Sequence, residues 1–498
     1  MRQYQLYING EWIDAKSGET FKVLNPYTEE AIAEVAKGSR EDAQIAIDAA
    51  RKAFDSGIWS GLPPQRRCEI LLDIAERLAA KQSELIELET RDAGMTTRMS
   101  SMAGIPGGIE QFRYYAELAR SVPFYEGLPP MEFPTSYNFV LREPIGVCGQ
   151  IIPWNAPFLM AVSKLAPALA AGNTVVLKPA SYTPITALEL AKVIDESDMP
   201  KGVVSVVTGP GSTVGEEIAA NPKVDKVSFT GSTEVGRRIM ELASSTVKKV
   251  TLELGGKSPV IVLEDANWDV AIDGVLYGVY LHSGQICVAG TRLFLPGSIH
   301  DEFVERLVAK ASHMKLGDPM DWGTDMGPLV SAEQRDRVEG YIKSGLGQGA
   351  RLACGGARPK ELEKGYFVEP TIFIDVKNDM KIAQEEIFGP VLSVIKYSSV
   401  DEAIDMANDT IYGLAGAVWS EDMGRAMDVA KKIRSGTVWI NEHHMIDTRH
   451  PFGGYKQSGI GREMGIYGFH EYTEIKHVYM DLVRKRESKL WYGMVCSG

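Results

Sequence analysis

One cysteine in this chain stands where chemistry is possible. Cys287 lies in the run Gly284-Gln285-Ile286-Cys287-Val288-Ala289-Gly290. A thiolate is a strong nucleophile, and flanking glycines let a substrate reach it. A lone cysteine is more often a buried, inert core residue. Three distant stretches argue for chemistry. Glu253 follows the strand-like Lys249-Val250-Thr251-Leu252 and precedes Gly255-Gly256. A general base at a strand end next to glycines has room to swing. Asn155 sits between Trp154 and Ala156-Pro157. Its amide is suited to donate to a developing oxyanion. The third stretch is Glu385-Glu386-Ile387-Phe388-Gly389-Pro390.

The elements that must hold these residues are legible in outline. A chain of 498 residues exceeds one compact core and implies two or three domains. Between Leu141 and Leu254 strand and helix patterns alternate. Ile145–Ile151, Thr174–Leu177, Val203–Val207 and Lys226–Phe229 read as strands, and Ser163–Ala171 as a helix. Thr183 is expected to cap a further helix with Pro184 in its first turn. Such βαβ repetition implies a parallel sheet with ligand at the carboxyl ends of its strands. A second alternating region runs from Pro259 to about Thr437 and contains Cys287. At the N-terminus, Asn9-Gly10 between Leu6–Ile8 and Glu11–Ile13 predicts a hairpin with a type I′ turn. Ser39 with Asp42 predicts a capping box opening a helix to about Phe54. The runs Gln65–Arg91 and Gly108–Arg120 are helical in period. Tyr137–Arg142 and Ile475–Met480 alternate like strands.

Composition narrows the partners. A net charge of −13 argues against nucleic acid or an anionic membrane. The most apolar region, Phe158 to Leu177, is broken by Lys164, Pro167, Gly172 and Asn173, so no membrane span is expected. Cys68, Cys148, Cys287, Cys354 and Cys496 are scattered, without metal-ligand spacing or a disulfide framework. Met1 to Gln5 lacks a signal-peptide pattern. A reduced, cytoplasmic protein is expected. His443, His444 and His450 sit close in sequence, but no metal site is expected there.

Seven motifs occur in a fixed order: Pro153-Trp154-Asn155, Lys178-Pro179-Ala180, Phe229-Thr230-Gly231-Ser232, Glu253-Leu254-Gly255-Gly256-Lys257, Gly284-Gln285-Ile286-Cys287, Glu386-Ile387-Phe388-Gly389-Pro390 and Pro451-Phe452-Gly453-Gly454. With them, and with Glu253 and Cys287 34 residues apart, nearly the whole chain resembles the aldehyde dehydrogenase superfamily. The resemblance implies an α/β protein with two Rossmann-like parallel-sheet domains, one for cofactor and one catalytic, plus a small β oligomerisation arm. Residues 1–122 and 144–254 would form the NAD(P)-binding domain and 255–455 the catalytic domain. Residues 123–143 and 456–498 would form the arm and a C-terminal tail. Strands of that arm add to a neighbouring subunit's sheet in the family, which also protects an exposed edge. A homodimer or a homotetramer built as a dimer of dimers is therefore expected. The alternative is a terminal hairpin within one subunit. The tail Arg484–Cys496 ends apolar after a charged stretch, as if made to dock.

The resemblance also implies the roles. Cys287 attacks an aldehyde, and Asn155 with the Cys287 N–H holds the oxyanion. The thiohemiacetal gives hydride to a nicotinamide, and Glu253 activates water to hydrolyse the thioester. Ile151, Pro153, Trp154, Lys178, Ser181, Gly211, Gly215, Phe229, Thr230, Gly231, Ser232, Leu254, Glu386 and Phe388 would bind the cofactor. Ser232 would meet the pyrophosphate, Lys178 the adenosine ribose, and Glu386 the nicotinamide ribose. Lys164 matches a family lysine near the site. NAD-specific members usually carry Glu where this chain has Ser181. A serine does not repel a 2′-phosphate, so NADP is expected to be accepted as well as NAD. The other reading makes Ser181 a neutral turn residue with NAD the main cofactor. Small Ala156 and Ser163, with Leu159, Met160, Ile286, Val288 and the loop Glu442–His450, suggest a roomy apolar tunnel. Medium-chain, branched or aromatic aldehydes fit it. Arg449 is the one cation placed to serve a semialdehyde. A coenzyme-A-acylating enzyme, a semialdehyde-specific enzyme and a non-catalytic protein on the same fold are the alternatives.

Overall fold

A computed structural model describes residues 1–131 and 135–496. Parts of the expected arm (132–134) and tail (497–498) thus lie outside the described residues. Two large sheets organise the chain. The first runs Gly459–Ile460, Lys249–Glu253, Lys226–Thr230, Val147–Ile151, Thr174–Lys178, Val204–Val206, Leu6–Ile8, Glu11–Ile13. Its middle five strands are parallel. The second runs Arg351–Cys354, Thr371–Ile374, Val391–Tyr397, Arg292–Pro296, Pro259–Val262, Ala415–Trp419, Thr437–Ile440, and all but its first strand are parallel. The parallel strands are fully buried or nearly so. Helices must therefore cover both faces, and the apolar clusters lie on either side of each sheet. The fold is the expected α/β pair of Rossmann-like sheets. No helix among the described residues is long and apolar enough to cross a membrane.

Local signals hold where the chain acts alone. Asn9 and Gly10 both take positive φ (58° and 73°), as a type I′ turn demands. Ser39 and Asp42 form the reciprocal capping box, and the helix runs Arg40–Asp55. Elsewhere packing overrides the reading. The single helical run over 65–91 is two helices, Pro64–Ala80 and Gln82–Ala93, broken at Lys81. The helix expected at Ser163 starts six residues earlier and spans Pro157–Ala170. Thr183 caps nothing. Its hydroxyl donates to the Trp154 carbonyl, and the helix Ile185–Asp195 receives its cap from Asp92.

The two strand-like stretches outside the large sheets pair with each other. Ser136–Pro144 and Thr473–Asp481 run antiparallel over nine residue pairs, with Tyr125–Gly127 on the far side. Among the described residues, both outer edges of this small sheet are unpaired. In the tail, Lys489 pairs with Asp481 at 2.5 Å, while Leu490, Met494 and Val495 remain exposed. Upstream of the arm strand, Gly459–Ile460 joins the first large sheet beside Glu253, and Phe469 and Tyr472 enter the first core.

Candidate active site

The carboxyl ends of the first sheet's strands bring the proposed site residues into one row. Glu253 is the last residue of its strand, in register with Thr230. Ile151 ends the next strand, in register with Phe229 on one side and Lys178 on the other. The chain order of these strands reverses across Val147–Ile151, and that reversal opens a crevice at the strand ends. Asn155 lies four residues beyond Ile151, at the lip of this crevice.

Glu253 is 4 % exposed, and neither carboxylate oxygen has a hydrogen-bond partner among the described residues. Burial raises its pKa well above the ordinary carboxylate range, and the Glu463 carboxylate adds to that. Lys164 and Arg462 pull the other way. Lys164 is itself fully buried, ion-paired with Glu463 and 3.0 Å from Ser228 Oγ. Lys164 thus sits within electrostatic reach of Glu253. Glu463 was not visible as a site residue in the sequence. It follows a glycine-rich run with no local signal of chemistry, and only folding sets it beside Lys164.

Cys287 follows a strained turn. His282, Ser283 and Gly284 have φ of 49°, 56° and 73°, three left-handed residues in succession. For residues with a Cβ that conformation costs about 1–2 kcal/mol each. Side-chain bonds hold it. Ser283 Oγ donates to Gly327 O (2.7 Å). Gln285 Nε2 donates to His282 O (3.1 Å), while Gln285 Oε1 accepts from Val330 N–H (2.9 Å). Asn155 Nδ2 donates to Gln285 O at 2.8 Å, so the amide from the first sheet is tied to the loop of the nucleophile. That bond uses one amide hydrogen and leaves the other.

The Cys287 thiol is half-buried and pushed up to about 12, first by burial and then by the Glu386 and Glu253 carboxylates. The N–H groups of Val288 and Cys287 oppose the rise. Gly256 backs onto the Cys287 carbonyl so closely that a Cβ there would lie 2.3 Å from the oxygen. His443 donates from Nε2 to Val288 O (3.0 Å) and His444 from Nε2 to Gly278 O (3.0 Å). Both histidines brace backbone.

On the cofactor side, Lys178 is buried, lowered to about 8 by that burial, and donates to Pro179 O at 2.8 Å. Gly215 lies against it, and its Cβ would sit 3.6 Å from the lysine stem. Gly211 opens the turn Gly211–Gly215 with clear space beside it. Ser181 Oγ donates to Gly209 O (3.1 Å). Its hydrogen is therefore engaged by that carbonyl. Ser232 caps the helix Thr233–Ala243, accepting from Val235 N–H. Thr230 Oγ1 is buried without a partner among the described residues. Gly231 folds against the Phe229 ring, and Leu254 against Gly236. Glu386 accepts from Gly256 N–H (3.0 Å) and is pushed up to about 7 by burial. Phe388 meets Trp154 edge to face at 5.2 Å, with half-buried Pro153 beside the tryptophan in sequence. A lysine with spare N–H groups, an orphaned hydroxyl and a free helix start suit a dinucleotide.

Ala156, Leu159 and Met160, three of the residues expected to line a tunnel, form an apolar wall with Ala93, Met95 and Met99. Ser163 does not join this wall. It is 3 % exposed and donates to Gln111 Oε1 (2.9 Å) and Leu159 O (2.8 Å). Arg449 is exposed and clamped to Asp447 through Nε and Nη2 (2.8 and 2.6 Å), so its charge is already matched.

The turn yields a sharp test. A Cβ at Gly284 would lie 2.2 Å from Gly389 O, and φ there is already left-handed. Gly284→Ala should lower the melting temperature and slow the alkylation of Cys287 by iodoacetamide, measured at alkaline pH where the wild-type thiol begins to ionise. Wild-type alkylation and melting would show that the turn does not position the thiol.

The chain as a whole has known relatives. The model of the aldehyde dehydrogenase family matches residues 12–478. Betaine aldehyde dehydrogenase of Bacillus subtilis (strain 168) is 51% identical over 478 residues, covering 95% of this chain and 96% of that protein. Aldehyde dehydrogenase 1A1 of Homo sapiens is 44% identical over 488 residues, covering 97% and 95%. A crystal structure of betaine aldehyde dehydrogenase from Staphylococcus aureus in complex with NAD+ superposes with a TM-score of 0.95 at 42% identity, covering 97% of this chain and 95% of that one. Sequence, fold and the gathering of thiol, carboxylate and amide thus agree, and this chain belongs to the aldehyde dehydrogenase family as one of its enzymes.

Proposed function

We propose that the enzyme oxidises an apolar aldehyde to its carboxylic acid with NAD or NADP, through a thioester on Cys287 that water hydrolyses. The observation that carries this reading is Glu253, a buried carboxylate with no partner among the described residues, within electrostatic reach of the thiol. A coenzyme-A-acylating enzyme has no need of such a base.

The steps follow from the residues. The Cys287 thiol gives its proton to Glu253 or to water, and its sulfur bonds to the aldehyde carbon. The carbonyl electrons move to oxygen, where the free Asn155 amide hydrogen and the Cys287 N–H receive them. When bound, the nicotinamide supplies a hydride acceptor and a cationic ring. Loss of hydride from the Cys287-bound carbon restores its C=O as a thioester. Glu253 takes a proton from water, the water oxygen attacks the thioester carbon, and the C–S bond breaks to release acid and thiol. Lys178, Thr230, Ser232 and Glu386 would hold the dinucleotide, with Ile151, Gly211, Gly215, Gly231 and Leu254 shaping its cleft.

Relatives are named for betaine aldehyde, which makes that substrate the second reading. A quaternary ammonium is best held by aromatic faces. Beside Asn155 the wall is instead Ala156, Leu159 and Met160 with Met95 and Met99. Thioethers and aliphatic groups favour medium-chain, branched or aromatic aldehydes. A semialdehyde is disfavoured by the pairing of Arg449 with Asp447.

With no carboxylate at 181, nothing there repels a 2′-phosphate, and Lys178 is left as the cation to meet it. The unpaired edge of Thr473–Asp481, with exposed Ile475, Tyr479 and Met480, supports docking on a second copy as a dimer or dimer of dimers. All five cysteines are unpaired, which fits the cytoplasmic location we assign.

Glu253→Gln should keep a burst of reduced cofactor equal to the active sites while steady-state turnover falls by about 10²-fold or more. Because burial raises the Glu253 pKa, the base form grows as pH rises. Wild-type deacylation should therefore climb from neutral into alkaline pH, and the variant should lose that limb. Unchanged turnover in the variant would remove Glu253 from its role. Hexanal and betaine aldehyde, each run with NADP and NAD and without coenzyme A, test the substrate and cofactor together. Turnover of hexanal with both cofactors is expected; a strong preference for betaine aldehyde, or no reaction with NADP, would overturn those parts. Sedimentation equilibrium should give a dimer or tetramer, and a monomer at micromolar concentration would remove the proposed arm contact.

A further inference from the structure

Two acids with no part in the proposed steps are buried without a paired cation among the described residues. Glu89 and Asp92 lie three residues apart on the helix Gln82–Ala93 and are both fully buried. Neither takes part in an ion pair among the described residues. A buried carboxylate is costly unless its oxygens are satisfied. Three of their four oxygens are satisfied at the starts of two other helices, and Asp92 Oδ1 has no partner among the described residues. Glu89 Oε1 accepts from Phe158 N–H at 3.3 Å, and its Oε2 accepts from Thr186 Oγ1 at 2.6 Å. Asp92 Oδ2 accepts from Ile185 N–H at 3.0 Å.

Both helices need the help. The helix Pro157–Ala170 follows Ala156 and has no side-chain cap of its own, and the helix Ile185–Asp195 follows Pro184 and has none either. A helix start leaves N–H groups unsatisfied and carries partial positive charge, so an acid there is stabilising. The segments just before these helices carry the proposed machinery. Asn155 stands two residues before Pro157. Lys178 and Ser181 stand in the segment before Ile185. The two segments are stitched together by Thr183 Oγ1 to Trp154 O (3.1 Å) and Ile152 N–H to Lys178 O (3.1 Å).

We propose that Glu89 and Asp92 are positioning residues: from behind the site, Glu89 fixes the helix start that aims Asn155, and Asp92 fixes the helix start that bounds the cofactor cleft at Lys178 and Ser181. The inference rests on the roles assigned above to Asn155 and Lys178. It predicts a division of labour that a merely structural pair would not show. Glu89 acts through Phe158 N–H on the oxyanion donor and so on acylation; its other bond goes to the Thr186 side chain and leaves the backbone cap at Ile185 to Asp92. Asp92 acts on the cofactor segment and so on cofactor affinity.

The test reads the burst rate of reduced cofactor at saturating NAD and hexanal, and the NAD dissociation constant by calorimetry without aldehyde. Glu89→Leu has no acceptor for either Phe158 N–H or Thr186 Oγ1. It should lose at least tenfold in burst rate with the dissociation constant within twofold of wild type. Asp92→Ala should raise the dissociation constant at least fivefold with the saturated burst rate within twofold. Asp92→Asn, whose carbonyl can still accept from Ile185 N–H, should restore affinity. If Glu89→Leu does not fold, Glu89→Asp serves, since it is one methylene too short to span Phe158 and Thr186; it should slow the burst at least threefold. Variants that change both constants in parallel, or neither, would overturn the proposal. Asn155→Ala is run beside them. An undiminished burst there would sink the oxyanion assignment itself, whereas a slowed burst with unaffected Glu89 variants would sink only this inference.

Discussion

The site depends on a backbone that would not hold its shape unaided. His282, Ser283 and Gly284 are all left-handed, and two of them pay a steric cost for it. Gln285 is the residue that makes this arrangement stable. Its side chain bridges the turn to Val330, and its carbonyl takes the amide of Asn155. One buried glutamine therefore joins the loop of Cys287, the segment just before the helix Ala332–Gly347 and the lip of the first sheet. The oxyanion donor and the thiol are set relative to each other by this joint rather than by direct contact between them.

Electrostatics around the thiol work in one direction at rest. Burial and two carboxylates, Glu386 and Glu253, hold Cys287 protonated. The same desolvation holds Glu253 well above its ordinary range and Glu386 up to about 7. A resting site of largely neutral groups is protected against alkylation and oxidation, since the thiolate is the reactive form. The proposed chemistry then requires charge to enter, and a cationic nicotinamide has the right sign to draw out the thiolate. Glu463 and Lys164 behind Glu253 oppose each other in their effect on it, the carboxylate raising its pKa further and the ammonium pulling it down.

Substrate choice is written in softer material. The wall beside Asn155 is made of methionines, alanines and a leucine, which reshape without breaking hydrogen bonds. High overall similarity to proteins named for betaine aldehyde does not carry an aromatic cage into that wall. A few side chains at one end of the helix Pro157–Ala170 separate the two substrate readings, while the fold is common to both.

Sequence alone determined whatever rests on local backbone chemistry or on the order of motifs. The Asn9-Gly10 turn, the Ser39–Asp42 capping box, the alternating strands and helices, and the set Cys287, Glu253 and Asn155 were all legible, because each is encoded within a few residues. Tertiary structure alone decided what depends on partners far along the chain. Thr183 looks like a helix cap but gives its hydroxyl to Trp154, because Asp92 supplies the cap from a different helix. Ser181 looks free to donate but is engaged by Gly209, and Ser163 looks like a tunnel residue but turns to Gln111. Glu463 is unremarkable in sequence and lies 299 residues from the Lys164 it pairs with. A hydrogen bond or a buried charge is settled by whichever group the fold brings closest, and that group has no fixed distance along the chain.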